Sequence, residues 1–209
     1  MILPDKSQIC KMTNKILLPK VENCWNTETP EEHWRGWLAR SDRLREEELV
    51  MGLAGDPDVV VDIGCGSGRY AHCLTYKHYY GFDTWGKTVD YASEWADREK
   101  LGFCTFSVGG VYDSPPYRTS GDLYLTLNVM RHFRDPMKAY NHIWDNLPSG
   151  ASWITDFLTR PGQGLWIDGE FSSLIGEQDM AKFLQGKPPN NAISWLQEVG
   201  TWWLTRLTK

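Results

Sequence analysis

The sequence predicts a single α/β domain built on a doubly wound, mostly parallel sheet with helices on both faces. Three observations predict it. Short apolar runs rich in β-branched and aromatic residues recur: "DVVVDIG", "HYYGFD", "FCTFSVGG", "DLYLTLN" and "ASWITDF". Helix-patterned stretches separate most of them. Two junctions carry glycine-bearing turns, "GCGSG" at 64–68 and "GFDTWGKT" at 81–88. Strands alternating with helices at this spacing build parallel sheets, whose strands are buried on both faces.

The bulk properties agree. A chain of 209 residues suffices for one domain with a full core. At 41% hydrophobic and 23% charged it has ordinary globular composition. No apolar run reaches the roughly eighteen residues of a membrane helix, and residues 1–20 lack the apolar stretch of a secretory signal. A net charge of −5 argues against a broad nucleic-acid or anionic-membrane footprint. The five cysteines (Cys10, Cys24, Cys65, Cys73, Cys104) are dispersed and form no Cys-x2-Cys pair. They predict reduced thiols in a cytoplasmic protein, with no disulfide framework and no metal site. Nine of the eleven tryptophans gather at 25–37, 144–166 and 195–203. They suit core packing, or an aromatic wall around a flat or cationic ligand.

Each element has its own signal. Residues 1–29 lack periodicity and read as an N-terminal arm. Thr29 is the expected N-cap of a helix, or a broken pair of helices, that ends at Gly52 or Gly55, with Pro30 at its first position. "DVVVDIG" is strand 1, "SGRYAHCLTYK" a helix, "HYYGFD" strand 2, and "GKTVDYASEWADREKLG" an amphipathic helix closed by Gly102. "FCTFSVGG" and "DLYLTLN" are strands 3 and 4. "MKAYNHIWDNLPSG" is a helix with a Pro/Gly stop, and "ASWITDF" is strand 5. Residues 159–192, rich in Gly and Pro, read as a lid or insertion with a short helix near 176–186. Residues 193–209 read as a final helix, a Gly turn and a last strand, antiparallel at the sheet edge.

Two glycine turns compete for the ligand. In doubly wound sheets ligands bind beyond the carboxyl ends of the strands, near the switch point. The turn after strand 1 is the favoured place, and "VVVDIGCGSG" stands there. A dinucleotide fingerprint would need a third glycine at 69, where the residue is Arg69. The match is instead Asp62, Gly64, Gly66, Gly68. A carboxylate at the strand end repels pyrophosphate and suits a ligand carrying positive charge.

Asp62-Ile63-Gly64-Cys65-Gly66-Ser67-Gly68 resembles motif I of the class I S-adenosylmethionine-dependent methyltransferases, over residues 31–157 and more weakly to 209. The resemblance implies a Rossmann-like core over 30–158 and S-adenosylmethionine as cofactor, bound by Asp62, Gly64, Cys65, Gly66 and Gly68. It implies that an acid at the end of strand 2, Asp83, holds the ribose hydroxyls, with Thr84 and Trp85 against ribose and adenine. After strand 3 the family usually has Gly-Asp, the acid facing adenine. Here Gly109-Gly110 stands instead, leaving backbone near Gly110 and Val111, with Asp113 a weak substitute. Asn128 and Val129 would line the methionine end, and residues 130–133 would approach the substrate. The reaction implied is in-line attack of a nucleophile on the methyl group. His132 is the best-placed candidate base. Trp34, Trp37, Arg131, His132 and Trp166 are the expected substrate contacts. A small-molecule substrate is favoured, with nucleic acid or protein as alternatives; no membrane partner is expected.

Two further patterns compete. Residues 81–88 match the P-loop pattern Gly-x4-Gly-Lys-[Ser/Thr] in full, with Asp156 available as a magnesium-binding carboxylate. Against it, Asp83 opposes a phosphate and Trp85 crowds it. "SPPY" at 114–117 resembles the motif of DNA amino-methyltransferases, but it precedes strand 4 rather than ending it. A cofactor-binding protein without transferase activity also remains open.

Overall fold

A computed structural model of the chain describes residues 29–32, 43–133, 135–160, 166–167, 172–173, 175–187, 191–197 and 200–209. Residues 30–32 are helical, and Thr29 caps them. Its hydroxyl accepts the Glu32 N–H at 3.2 Å while the Glu32 carboxylate accepts the Thr29 N–H at 2.8 Å, a reciprocal capping box. Helix α1 (Arg43–Ala54) stops at Gly55, whose φ of 66° turns its N–H onto the Met51 carbonyl.

The sheet then begins. Strands β1 (Val59–Ile63), β2 (His78–Asp83), β3 (Cys104–Val108), β4 (Leu123–Thr126) and β5 (Ser152–Arg160) run parallel. Helices α2 (Gly86–Glu99), α3 (Pro115–Arg118) and α4 (Pro136–Asn146) follow β2, β3 and β4. Beyond β5 come the two-residue strands β6 (Trp166–Ile167), β7 (Ser172–Ser173) and β8 (Ile175–Gly176), then helix α5 (Glu177–Leu184). Strands β9 (Asn191–Gln197) and β10 (Gly200–Thr208) end the chain.

The strand order is β3-β2-β1-β4-β5-β10-β9, with β8 added onto β5. Strand β10 is antiparallel to both β5 and β9, so the C-terminal side of the sheet is antiparallel as expected, but the edge is β9 and the last strand lies inside it. The order reverses between β1 and β4. In sheets of this kind the switch point leaves a crevice beyond the carboxyl ends of the strands, here those of β1, β2 and β4.

Two apolar cores lie on opposite faces. One packs α4 and α5 on the sheet through Tyr140, Trp153, Phe157 and Phe183. Tyr140 stacks on Phe157 with ring centroids 4.5 Å apart. The polar ends of these rings are paired: the Tyr140 hydroxyl donates to the Asp156 carbonyl, and Trp153 Nε1 donates to Thr126 Oγ1 at 2.9 Å. The other core packs α1 on the sheet through Val50, Leu53, Tyr79, Leu125, Ile154 and Leu204.

Two predicted helices are not helices. After motif I only a 3-10 turn forms (Arg69–Ala71). Its residues Arg69, Tyr70 and Ala71 are all buried, so the segment has no solvent face, and two of the side chains are pinned to Glu46. Near the C-terminus the expected final helix is strand β9, paired in register with β10. The pairing overrides a spacing that fits either period. The predicted short helix near 176–186 is α5.

Phe157→Ala removes a fully buried ring from the first core. It is expected to lower unfolding free energy by about 3–5 kcal/mol, read from urea denaturation.

Candidate functional site

The turn after β1 is shaped by glycine. Gly64, Gly66 and Gly68 have φ of 84°, 52° and 81°. Gly64 is also confined: a Cβ there would lie 2.3 Å from Val129 Cγ2. The loop is stitched to the end of β2. Gly64 and Cys65 N–H groups both donate to the Phe82 carbonyl, at 2.6 and 3.0 Å. Asp83, half-buried, completes the seam. Its Oδ2 accepts the Gly66 N–H and its Oδ1 the Trp85 N–H, each at 2.9 Å. A carboxylate offers about four acceptor positions, which is why one aspartate can tie several donors.

Beneath the turn lies buried charge. Asp62 is 1% exposed and accepts the Tyr79 hydroxyl. Burial pushes its pKa up to about 7 from an ordinary 3.8. The Tyr79 hydrogen bond opposes that rise, Asp83 adds to it, and Arg69 opposes it. Burial likewise pushes the Cys65 thiol up, keeping it protonated. Glu46, on α1, is also 1% exposed and pairs with Arg69 at 2.9 Å.

The end of β4 closes the crevice from the other side. Asn128 stands in the left-handed region, φ 61°. Its N–H donates to Asp156 Oδ1 at 3.0 Å and its side-chain amide to Glu46 Oε1 at 3.0 Å. Val129 follows against Gly64. A 3-10 turn (Met130–His132) then carries Arg131 and His132, both half-buried. Phe133 meets Tyr112 edge-on at 5.5 Å, and Tyr112 meets His142 at 5.0 Å. These rings link the loops after β3 and β4 to α4.

The loop after β3 differs from expectation in one respect. Asp113, itself exposed, folds back on its own turn: its Oδ2 accepts the Gly110 N–H at 2.7 Å. The Gly110 amide therefore already has a partner. Val111 is buried in the core, and its carbonyl accepts the Tyr117 hydroxyl at 2.6 Å.

The fold thus gathers Asp62, Gly64, Cys65, Gly66, Gly68, Asp83, Thr84, Trp85, Gly110, Asn128 and Val129 at neighbouring strand ends. Trp34 and Trp37 lie outside the described residues. Trp166 is in β6, and its side chain is not among those described. Sequence reading missed Glu46, Arg69 and Tyr70 and gave Asp156 another role. No local motif marks these residues, which meet only through the fold. Among the described residues no group of His, Cys, Asp and Glu is placed to hold a metal ion, and no helix is long and apolar enough to cross a membrane.

The P-loop reading fails on geometry. Gly81 to Asp83 are the last residues of β2, Gly81 and Phe82 paired with both β1 and β3 and Asp83 with β3, and not a loop. Trp85 is the N-cap of α2, Lys87 is exposed, and Thr88 is buried on the helix. The second pattern, 114–117, opens α3, before β4 and not at its end.

Residues 61–154 match the family described as "Methyltransferase domain". The match runs from β1 into β5 and takes in the glycine turn, Asp83 and the Asn128–Val129 corner. No curated protein matches the chain in sequence. Solved structures share its fold. The N-methyltransferase NodS from Bradyrhizobium japonicum, in complex with S-adenosylhomocysteine, is 13% identical with a TM-score of 0.61; the match covers 87% of this chain and 99% of NodS. Magnesium protoporphyrin IX methyltransferase from Synechocystis, with bound S-adenosylhomocysteine, is 16% identical with a TM-score of 0.62, over 89% of this chain and 97% of that one. The [4+2]-cyclase SpnF is 13% identical with a TM-score of 0.64, over 79% and 80%.

S-adenosylmethionine, the cofactor that the motif I resemblance implies, fits the residues present. Its ammonium and sulfonium suit a crevice underlain by Asp62 and Glu46. Its ribose has two hydroxyls to donate at the Asp83 end. The glycine turn admits close backbone approach.

Gly64→Ala adds a Cβ against Val129 at a positive φ. It is expected to destabilise the fold by roughly 1–3 kcal/mol, and Val129→Ala is expected to restore part of the loss; urea midpoints of both variants and the pair check this.

Asp62 sets a pH dependence. Its folded pKa lies above its unfolded value, so the folded state holds the proton more tightly. The Asp62 contribution to stability therefore falls as pH rises from about 4 to about 7 and is level above that. Asp62→Asn should remove that fall in urea unfolding measured across the window. Cofactor cations favour the ionised carboxylate, so binding at pH 6 should release protons, detectable by calorimetry in two buffers of different ionisation enthalpy.

Proposed function

We propose that this protein transfers the methyl group of S-adenosylmethionine to a nucleophilic atom of a small molecule. The observation that carries the transferase reading is the crevice at the β1/β4 switch point, where Asp62, the glycine turn, Asp83 and the Asn128–Val129 corner converge. The acidic chain, with net charge −5, favours a small molecule over nucleic acid. Magnesium protoporphyrin IX methyltransferase, similar in fold, acts on a small molecule by its name, which agrees with this reading.

When bound, the cofactor supplies an electrophilic methyl group: the acceptor's lone pair forms the new bond to carbon as the carbon–sulfur bond breaks and its electron pair returns to sulfur. The protein's work is alignment and exclusion of water. Asp83 would hold the ribose hydroxyls, with Thr84 and Trp85 beside the sugar and base. Asp62 and the turn 64–68 would hold the methionine end from below, with Asn128 and Val129 beside it. The acceptor would enter over Arg131 and His132. An acceptor that must lose a proton would give it to His132, the imidazole nearest the end of β4 in the chain.

A second reading rests on SpnF, a cyclase of similar fold. It shows that this fold also serves reactions other than methyl transfer, so the chain would then bind the cofactor without transferring its methyl group.

Methyl transfer from radiolabelled S-adenosylmethionine, screened against pools of small molecules, RNA and proteins, decides among these. Label entering the small-molecule pool alone is expected. Label in RNA or protein would overturn the substrate class, and binding without transfer to any pool would favour the second reading. In the same assay series, Asp83→Ala should weaken S-adenosylhomocysteine binding by about tenfold or more, while Lys87→Ala should leave it unchanged.

A further inference from the structure

Glu46 lies on α1, remote in sequence from the glycine turn, yet its carboxylate joins three parts of the crevice. Oε1 accepts the Tyr70 hydroxyl at 2.8 Å and the Asn128 side-chain amide at 3.0 Å, and pairs with Arg69 Nη1 at 2.9 Å. Arg69 and Tyr70 form the turn that follows the glycines; Asn128 ends β4. Helix α1, the motif I turn and the β4 corner thus meet on one buried oxygen.

Asn128 gives the cluster its reach. Its left-handed backbone, φ 61°, is one that Asn tolerates better than most residues but still costs energy. Two buried acids hold it there, Asp156 on the backbone N–H and Glu46 on the side chain. The next residue, Val129, occupies the space over Gly64 that a Cβ would need. A change at Glu46 therefore passes through Asn128 and Val129 to the first glycine of the turn.

We propose that Glu46 is a positioning residue for the methionine end of the cofactor site: by holding Arg69 and Asn128 on one carboxylate, it sets where Val129 and the glycine turn stand. The inference rests on S-adenosylmethionine as cofactor and not on the identity of the methyl acceptor. Burial favours this role over simple stabilisation. A buried ion pair is weak evidence of net stability, because desolvation offsets much of its attraction, whereas hydrogen bonds to a charge hold their donors in defined directions.

The test compares Glu46→Ala, Glu46→Gln, Asn128→Gly and the Glu46→Ala/Asn128→Gly pair in the full chain. Each is measured for S-adenosylhomocysteine Kd by calorimetry and for its urea unfolding midpoint. Glu46→Ala and Asn128→Gly should each weaken binding by about tenfold, and the pair should be no weaker than the worse single variant, because both act through one contact. Glu46→Gln keeps an acceptor oxygen without the charge and should weaken binding by about threefold. A Glu46→Ala protein with a lowered midpoint but unchanged Kd would overturn the proposal, leaving Glu46 a purely structural residue. Multiplying losses in the pair would overturn the route through Asn128 and with it the proposal. Should Glu46→Ala fail to fold, Glu46→Gln decides, and an unchanged Kd overturns. Wild-type protein that does not bind S-adenosylhomocysteine overturns the cofactor assignment itself, a separate result.

Discussion

The carboxylate of Asp83 holds the crevice together. The turn after β1 leaves the sheet with its backbone donors unpaired, and buried donors must find acceptors. The end of β2 supplies them: the Phe82 carbonyl takes two N–H groups and Asp83 a third. The second Asp83 oxygen takes the Trp85 N–H at the start of α2. One side chain therefore fixes the glycine turn, the end of β2 and the N-cap of the next helix. Negative charge is also favourable at that helix start, where the backbone dipoles point their positive end. A residue expected to hold a sugar is first a residue that builds the place where the sugar would sit.

Charge gives the crevice its chemical preference. Asp62 and Glu46 are buried beneath the turn, with Arg69 as their cationic neighbour. Burying carboxylates is costly unless they are paired or protonated. The chain uses both remedies: Glu46 collects three donors, and Asp62 has its pKa raised towards neutrality while accepting the Tyr79 hydroxyl. A cation arriving above Asp62 offers a third remedy. Phosphate would meet the opposite field. The adenine side lacks this electrostatic definition. Asp113 spends its carboxylate on the Gly110 N–H of its own turn, so recognition there is left to shape and to the remaining backbone.

The parallel strands were legible because burial on both faces makes them near-continuous apolar runs, as in "VVVDI" and "LYLT". The glycine turn was legible for a steric reason, since only glycine accepts both the positive φ and the closeness of Val129 at position 64. The stretch after it misled because Arg69 and Tyr70 answer to a carboxylate on α1 and not to each other. The last segment misled because β9 exists by pairing with β10, and such partners are invisible in a local period. Glu46 carried no motif at all, and Asp156 only a place in the P-loop reading that the fold overturns. Their neighbours in sequence are unremarkable, and the contacts that define them span 82 and 28 positions of chain.

The pattern at 81–88 shows why position in the fold outranks a match of letters. A phosphate cradle needs successive N–H groups turned inward along an irregular loop. Here Gly81 is a β2 residue whose bareness serves packing: a Cβ would lie 2.5 Å from Phe106 Cδ1 and 2.9 Å from Cys65 Sγ. Asp83 takes backbone donors instead of leaving them for an anion, and Lys87 is an exposed residue of α2. The first glycine of the pattern makes room for the motif I turn, and its aspartate ties that turn down. The residues that resembled a second ligand site are the supports of the first.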